Sequence, residues 1–277
     1  MKETLCVAAI QLTSTRCWQD NLTEVTRLID SAVSDGARLV VLPENVFLFY
    51  GKGMRWLAES DSQKILFNNV LGLAKKHAIY LVVGSHPSLY TPNGEVVADG
   101  RVRQTCWVIG PDGLIVERYD KIHLFDVMVD DKAASYKESD FIEQGDLTPK
   151  VIDVDGFSIG LSICYDVRFP ELYRALAELG ADVLLVPAAF TYVTGKAHWD
   201  ILLSARAIEN QCYVLGVNQC GWHSETRQTY GHSALYSPLG VRLASLQEKP
   251  EYFVYNITKQ ALEDCRQKMP CFSHRRL

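Results

Sequence analysis

The sequence predicts an α/β fold with mixed β-sheets, built as one domain over residues 1–277. Two observations lead to this prediction: apolar strand-like runs alternate with amphipathic helical segments, and some neighbouring strands are joined by short hairpin turns. Alternation favours parallel pairing and hairpins require antiparallel pairing, so together they indicate mixed sheets. A chain of 277 residues is long enough for two domains. We expect one, because no Pro-, Gly- or Ser-rich linker and no internal repeat divides it.

The first half of the chain alternates predicted strands with predicted helices. Apolar residues recur at helical spacing from Asn21 to Ser34, and Gly36 follows as a helix stop signal. The segment 111–113, Pro-Asp-Gly, is typical of a hairpin turn. The predicted strands here are 5–12, 38–42, 79–84, 104–109 and 114–119, and the predicted helices are 21–34 and 62–77.

The second half continues the alternation after a polar segment. Residues 126–145 are polar without clear periodicity, which predicts a long functional loop. Pro170 suits the first turn of a helix over 171–179. Thr258 can cap a last helix that ends near Met269. The predicted strands are 151–154, 157–164, 182–186, 212–217 and 252–257, and a further helix is predicted over 198–210.

The composition restricts the partners and the compartment. The chain has 28 Lys and Arg against 33 Asp and Glu, a net charge of −5, so it lacks the basic footprint of a nucleic-acid binder. No apolar stretch approaches the ~20 residues of a membrane helix. The start of the chain also lacks the apolar region of a signal peptide. We therefore expect a cytoplasmic protein with neither a nucleic-acid nor a membrane partner.

The cysteines and the missing motifs argue against a metal or a cofactor. The eight cysteines include no Cys-x-x-Cys pair and the seven histidines no His-x-x-x-His pair, so zinc-site spacing is absent. The sequence has no P-loop motif, and the Gly-Lys-Gly segment at 51–53 lacks the third glycine of a dinucleotide fingerprint. We expect reduced thiols, no metal and no cofactor.

Three predicted strand ends each carry one reactive side chain: Glu44, Lys121 and Cys164. Binding crevices of α/β sheets lie at the carboxyl ends of strands, which allows these three groups to converge. A thiol with a usual pKa of ~8.5 needs a base or a positive field to attack at neutral pH. Glu44 would supply the base, while Lys121 and the helix predicted after Cys164 would supply the field.

Each of these residues also has an ordinary structural interpretation. A lone cysteine after an apolar strand is commonly a small buried side chain, a glutamate after Leu-Pro can belong to a solvated loop, and most lysines lie on the surface. Residues 160–164 nearly match the serine-hydrolase elbow Gly-x-Ser-x-Gly, but Cys164 replaces the last glycine. Ser162 would lie inside the strand, so the residue at the turn is the cysteine.

Three motifs resemble those of the nitrilase superfamily of carbon–nitrogen hydrolases, in the same order along the chain. They are Leu42–Glu44, Lys121–Leu124 and the long cysteine motif Ile163–Leu172. The length of the cysteine motif makes the resemblance specific, and it covers essentially the whole chain. The resemblance implies an αββα sandwich, in which two mixed β-sheets pack face to face with helices outside. It also implies a homodimer or a higher homo-oligomer.

The resemblance assigns catalytic roles to the three strand-end residues. Cys164 would be the nucleophile and Glu44 the proton shuttle. Lys121 and the backbone N–H of Tyr165 would stabilise the oxyanion of the tetrahedral intermediate. These roles imply hydrolysis of an amide through a thioester on the cysteine.

Many members of the superfamily carry a further glutamate after the lysine, in a Glu-Ser segment. Glu138-Ser139 matches this pattern, so the resemblance implies that Glu138 positions Lys121 and the substrate. The surrounding loop departs from the family in local sequence. Glu143 is therefore the alternative for this role.

Within the superfamily the sequence most resembles the Nit branch, whose amidases act on deaminated glutathione or, as ω-amidases, on 2-oxoglutaramate. The segment 190–199 fits both groups, and His198 and Trp199 within it belong either to the site or to the core. Residues 219–225 and 230–233 look more like the deaminated-glutathione group. The resemblance therefore implies a small 2-oxo acid amide as substrate, most closely deaminated glutathione, with 2-oxoglutaramate as the alternative.

Both substrates carry a carboxylate next to a ketone, and Arg168 can bind such a group through two parallel hydrogen bonds. The family places this arginine at the substrate, and Thr194 is similar to a family residue that hydrogen-bonds the same end. The alternative role of Arg168 is a structural salt bridge with Glu171 or Asp166.

Two other function classes remain to be compared with the amidase. A metallohydrolase lacks a ligand set in this sequence. A non-catalytic binding protein that retained the fold stays open, although the presence of all three catalytic residue types argues against it. A burst of product from a simple amide would distinguish the enzyme from the binding protein.

Overall fold

The computed structural model describes residues 3–276 and contains two six-stranded β-sheets. Met1 and Lys2, where the sequence predicts no signal peptide, lie outside the described residues, as does Leu277. In chain order the strands are Thr4–Gln11 (β1), Leu39–Val41 (β2), Tyr80–Ser88 (β3), Arg103–Ile109 (β4), Ile115–Asp120 (β5), Asp126–Met128 (β6), Ser135–Lys137 (β7), Val151–Val154 (β8), Phe157–Gly160 (β9), Val183–Ala188 (β10), Tyr213–Asn218 (β11), Cys220–Trp222 (β12), Gln228–Tyr230 (β13), Ala234–Tyr236 (β14), Arg242–Ser245 (β15) and Glu251–Thr258 (β16).

Both large sheets are mixed, as the sequence predicts. The first has the order β16-β1-β2-β3-β4-β5, in which β1, β2 and β3 are parallel and the outer pairs are antiparallel. The second has the order β15-β14-β11-β10-β9-β8, with a parallel centre of β9, β10 and β11. Two small hairpins, β6–β7 and β12–β13, stand apart from the large sheets.

The helices lie outside the two sheets and complete the αββα sandwich. In chain order they are Trp18–Ser34 (α1), Met54–Glu59 (α2), Asp61–His77 (α3), Pro170–Glu178 (α4), Tyr192–Asn210 (α5) and Lys259–Lys268 (α6). Side chains of β1 alternate between two cores: Val7 and Ala9 face the second sheet, whereas Ala8 and Ile10 face α1 and α3. On the other side, α4 and α5 pack against the second sheet.

The strand predicted over 157–164 ends at Gly160, so that prediction was too long. The backbone N–H of Ile163 donates to the Asp166 carboxylate at 2.8 Å, which removes it from sheet pairing. A short 3₁₀ helix, Cys164–Arg168, follows, and α4 begins only at Pro170. The helix predicted over 171–179 is present as α4, but the 3₁₀ helix separates it from the thiol, so no α-helix directly follows the cysteine.

Other differences concern weakly patterned segments. Helix α5 begins at Tyr192 rather than 198, because the Thr191 side chain caps it by accepting from the Thr194 N–H at 3.3 Å. The predicted loop 126–145 contains the β6–β7 hairpin and a 3₁₀ turn, Glu138–Asp140. Helix α2 was not predicted. In residues 3–276 no helix is long and apolar enough to cross a membrane.

Candidate active site

Glu44, Lys121 and Cys164 lie together in the wall of one cavity of about 310 Å³, which opens at the ends of strands from both sheets. Glu44 follows β2, Lys121 follows β5, and Cys164 follows β9. Lys121 Nζ donates to Glu44 Oε1 at 2.7 Å. The side chains of Glu44 and Lys121 are only 4% and 1% exposed, so this ion pair is shielded from water. The convergence expected of these three residues is present in the structure.

The ammonium group of Lys121 is held between two carboxylates. Besides Glu44, both carboxylate oxygens of Glu138 accept from Lys121 Nζ at 2.8 Å. Burial alone lowers the pKa of Lys121, but the negative charges of Glu138 and Glu44 outweigh it and raise that pKa well above its usual value. Lys121 is therefore a fixed cation in this site.

Glu138, rather than Glu143, is the glutamate that reaches the lysine. Its Oε2 also accepts from the Phe125 N–H at 2.7 Å, which fixes the carboxylate plane. Burial raises the pKa of Glu138, Lys121 opposes that change, and the nearby Glu44 adds to it. Glu143 instead accepts from Arg103 Nε at 2.8 Å. The sequence left open which of the two glutamates contacts Lys121, and in the structure it is Glu138.

Glu44 lies between the lysine and the thiol. Its Oε2 accepts from the Ala189 N–H at 2.8 Å. Burial raises the pKa of the Cys164 thiol well above its usual value, and the charge of Glu44 and its hydrogen bond to the thiol raise it further. Lys121 and the Ala189 N–H lower the pKa, without reversing the shift. Burial and the negative charge of Glu44 therefore outweigh the positive field expected of Lys121, and this arrangement suits Glu44 as the base for the thiol.

The backbone at Cys164 is strained and is held by a buried aspartate. Cys164 has a φ of +48°, a left-handed conformation that is costly for a residue other than glycine. Fully buried Asp166 accepts from the Ile163 N–H at 2.8 Å, from Tyr119 Oη at 2.7 Å and from the His123 N–H at 3.0 Å. This network fixes the turn that presents the thiol, a role of Asp166 that the sequence analysis missed.

Tyr165, expected to supply a backbone N–H, lines the cavity directly after the cysteine. It belongs to the first turn of the 3₁₀ helix, where amides have no carbonyl partner within the helix. Its ring packs edge-on against Phe125 and Phe169, with ring centroids 5.1 and 5.3 Å away. The packing of the ring fixes Tyr165, and its backbone N–H is left without a partner inside the 3₁₀ helix.

Arg168 lies beside the cavity rather than in its lining. Its Nη1 and Nη2 each lie 3.3 Å from His198 Nδ1, and the guanidinium stacks over Phe190 at 5.2 Å from the ring centroid. Phe190 itself lines the cavity. The salt bridge considered as an alternative, with Glu171 or Asp166, does not form among the described residues.

The remaining predicted residues divide between the wall and the core. Thr194 lines the cavity, and its hydroxyl lies 2.7 Å from that of Thr191. Trp199 is fully buried and donates to the His232 carbonyl at 2.8 Å, so it belongs to the core. Ser162 is buried as well, bonded to Tyr173 and to the Leu185 carbonyl, which supports its exclusion as a nucleophile.

Several residues of the cavity wall were not identified from the sequence. They come from loops and from the small hairpins: Arg16, Asn45, Phe49, Tyr50, Tyr136, His223 and Arg227. The segments 219–225 and 230–233, expected to discriminate between substrates, include His223 and flank Arg227 without containing it. Among residues 3–276 no cluster of three or more His, Cys, Asp or Glu side chains is arranged to hold a metal ion.

Comparison with known proteins gives full-length matches. The family model for carbon–nitrogen hydrolases matches residues 6–267. The chain is 45% identical to the deaminated glutathione amidase of Synechocystis over 270 residues, 97% of each chain, and 36% identical to that of Yersinia enterocolitica, over 98% of this chain and 92% of the relative. The structure of C. elegans NitFhit has a TM-score of 0.89 at 34% identity and covers 99% of this chain and 66% of that one. Saccharomyces cerevisiae Nit3, of the nitrilase superfamily, has a TM-score of 0.86 at 28% identity, over 100% of this chain and 98% of the other.

Proposed function

This chain belongs to the carbon–nitrogen hydrolase family, and from that premise we propose that it hydrolyses deaminated glutathione to 2-oxoglutarate and cysteinylglycine. The observation that supports the amidase chemistry most strongly is the buried Lys121, which binds both Glu44 and Glu138 beside the Cys164 thiol. The substrate follows from the full-length relatives that carry the name deaminated glutathione amidase.

The first half of the reaction begins with the neutral thiol. Glu44 accepts the thiol proton as Cys164 Sγ attacks the amide carbonyl, so no free thiolate has to exist beforehand. The carbonyl oxygen becomes an oxyanion, which Lys121 Nζ and the Tyr165 N–H stabilise. Both donors are fixed before the substrate arrives, which is the arrangement that makes such stabilisation effective.

The second half uses the proton that Glu44 has taken. Protonated Glu44 donates it to the leaving nitrogen as the carbon–nitrogen bond breaks, which releases cysteinylglycine and leaves a 2-oxoglutaryl thioester on Cys164. Glu44 then removes a proton from water as the water oxygen attacks the thioester. The carbon–sulfur bond breaks, and Glu44 returns the proton to Cys164 Sγ, which gives 2-oxoglutarate and the free thiol. Glu138 holds Lys121 in place in both halves.

Arg168 and Thr194 are proposed to bind the 2-oxo acid end of the substrate. Thr194 lines the cavity, and the Arg168 guanidinium lies over Phe190 at the cavity wall. Contact with His198 Nδ1 uses only part of the five N–H donors of the guanidinium. The remaining donors are available to a carboxylate that enters beside Phe190.

We propose one domain over residues 1–277, a homodimer or higher homo-oligomer, and a cytoplasmic location. Helix α5 exposes Ile201 and Ile208, and the adjoining turn exposes Leu239 and Val241, an apolar surface that suits a second copy of the chain. All eight cysteines are free, which suits a reducing compartment. Light scattering of the purified protein would test the oligomer.

The decisive test compares two amides. Purified protein should hydrolyse deaminated glutathione with a higher kcat/KM than 2-oxoglutaramate, and Cys164→Ala should abolish turnover of both. A preference for 2-oxoglutaramate would assign the chain to the ω-amidases. Absence of turnover on any amide would indicate a binding protein that retained the fold.

A further inference from the structure

Arg227 presents an unused hydrogen-bond donor at the wall of the active-site cavity. The residue lies in the turn between β12 and β13. Its Nη2 donates to the Ala189 carbonyl at 2.7 Å, whereas its Nη1 is buried and has no hydrogen-bond partner in residues 3–276. A buried, unpaired guanidinium nitrogen is costly, because the group has lost its water without gaining an acceptor. Such a donor suits an anionic ligand.

Two aromatic rings lie against this guanidinium. It lies 4.7 Å from the ring centroid of Tyr136, on β7, and 5.7 Å from that of Phe49. Contact with two rings restricts the movement of the guanidinium, and Nη1 remains available to donate to a carboxylate. The arginine is therefore preorganised as well as unpaired.

No acidic side chain of the described cavity wall forms an ion pair with Arg227. The acidic side chains of the wall, Glu44 and Glu138, are both bonded to Lys121. Arg16, which lies over the Tyr50 ring at 4.5 Å, adds a further cation, and neither Arg16 nor Arg227 forms an ion pair within the described part of the chain. This part of the wall attracts a negatively charged ligand.

Arg227 and Arg168 contact different residues beside the site, so each is available to a different end of the substrate. Ala189 binds Glu44 through its N–H at 2.8 Å and Arg227 through its carbonyl at 2.7 Å. Glu44 must reach the leaving nitrogen in order to protonate it. Arg227 is thus linked to the residue that binds Glu44, whereas Arg168 lies next to Phe190 and His198. Because Arg168 is proposed to bind the 2-oxo acid end, Arg227 is the arginine left for a carboxylate on the leaving group.

We propose that Arg227 binds the glycine carboxylate of the cysteinylglycine leaving group and thereby sets substrate choice. This inference rests on the proposed function. Deaminated glutathione carries a carboxylate at each end, and 2-oxoglutaramate lacks the one on the leaving group. Arg16 contributes positive potential to the same end of the cavity.

The test uses three amides: deaminated glutathione, its C-terminal carboxamide, and 2-oxoglutaramate. For Arg227→Gln, kcat/KM for deaminated glutathione should fall about 10- to 100-fold, the typical effect of a charge-assisted hydrogen bond. The carboxamide and 2-oxoglutaramate should change less than about twofold, since neither carries the charge that the arginine binds. Wild type should prefer the acid over the carboxamide, and Arg227→Lys should retain part of that preference.

A matched control distinguishes two roles of Arg227: binding the substrate carboxylate, and holding the two small hairpins in place. Lys132 Nζ lies 4.8 Å from the Trp222 ring centroid and so links the same two hairpins, β6–β7 and β12–β13, outside the cavity lining. Lys132→Gln removes the same charge and should leave all three kcat/KM values unchanged. An equal loss on all three substrates in Arg227→Gln would overturn the assignment in favour of a supporting role.

Two results with wild type distinguish this inference from the proposed function. Equal kcat/KM for deaminated glutathione and its carboxamide would overturn the role of Arg227 and leave the proposed reaction intact. No turnover of deaminated glutathione would overturn the proposed reaction, and the role of Arg227 with it.

Discussion

Two parts of the cavity wall differ in how completely their charges are paired. We call Glu44, Lys121, Glu138 and Cys164 the floor, and Arg16 and Arg227 with the aromatic rings beside them the rim. At the floor, Lys121 binds Glu44 and Glu138, and every oxygen of the two carboxylates named here has a fixed donor. At the rim, Arg16 and Arg227 stack on aromatic rings, and Arg227 Nη1 has no partner among the described residues. The charged side chains at the floor are paired without a ligand, and they suit chemistry common to many amides. At the rim, Arg227 Nη1 gains an acceptor only when a ligand binds, and this suits selection among amide substrates.

The largest effect is expected at the floor, from Lys121→Ala. This change removes the proposed oxyanion donor, and loss of such a donor typically costs about 10²- to 10³-fold in kcat. It also leaves Glu44 and Glu138 buried together without their cation, so we expect a loss of stability of about 3–5 kcal/mol. Turnover and thermal unfolding should be measured on the same sample. Unchanged turnover per folded molecule would contradict the role of Lys121.

The second prediction compares two glutamates of one loop. Glu138→Gln weakens the hold on Lys121 and should lower kcat by about 10-fold or more with each amide, as expected when a positioning partner of a catalytic group is lost. Glu143→Gln, the matched control, touches only the ion pairs with Arg103 and Arg101 and should leave kcat within about twofold. Equal losses in the two variants would indicate that the loop acts as a unit and that Glu138 has no specific role.

These two glutamates also show how far the sequence could predict the site. Glu44, Lys121 and Cys164 were predicted because each follows a strand with a local signature, and strand ends converge in such folds. The choice of Glu138 over Glu143 depends on how the loop folds, which local sequence does not determine. Arg227 was missed for the same reason, since its neighbours Phe49, Tyr136 and Ala189 are far away in the sequence.

The fold was predictable where periodicity is strong and less so at the catalytic turn. The mixed sheets follow from alternation and hairpins, and the sandwich from the family resemblance. The strand before Cys164 was overextended because residues 161–163 are as apolar as the strand itself, while the Asp166 side chain takes the Ile163 N–H and ends the pairing. A side chain that competes with backbone pairing leaves no trace in hydrophobic periodicity.

The smallest expected effect is a shift in a pH profile. Burial and Glu44 raise the pKa of the Cys164 thiol, so alkylation by iodoacetamide should increase with pH beyond the usual thiol range. Glu44→Gln removes a negative charge beside the thiol, which lowers its pKa and moves the profile to lower pH. Peptide mapping follows Cys164 alone. A profile that does not move, or that moves to higher pH, would contradict the pairing of Glu44 with the thiol.

The central claim is that the protein hydrolyses deaminated glutathione through an acyl group on Cys164. Single-turnover reactions quenched with acid test this claim most directly. Wild type mixed with the substrate should carry a 2-oxoglutaryl thioester before 2-oxoglutarate is released. Peptide mapping should locate the thioester on Cys164 and on none of the other seven cysteines. An acyl group on another cysteine, or release of 2-oxoglutarate with no acyl-enzyme before it, would contradict the account.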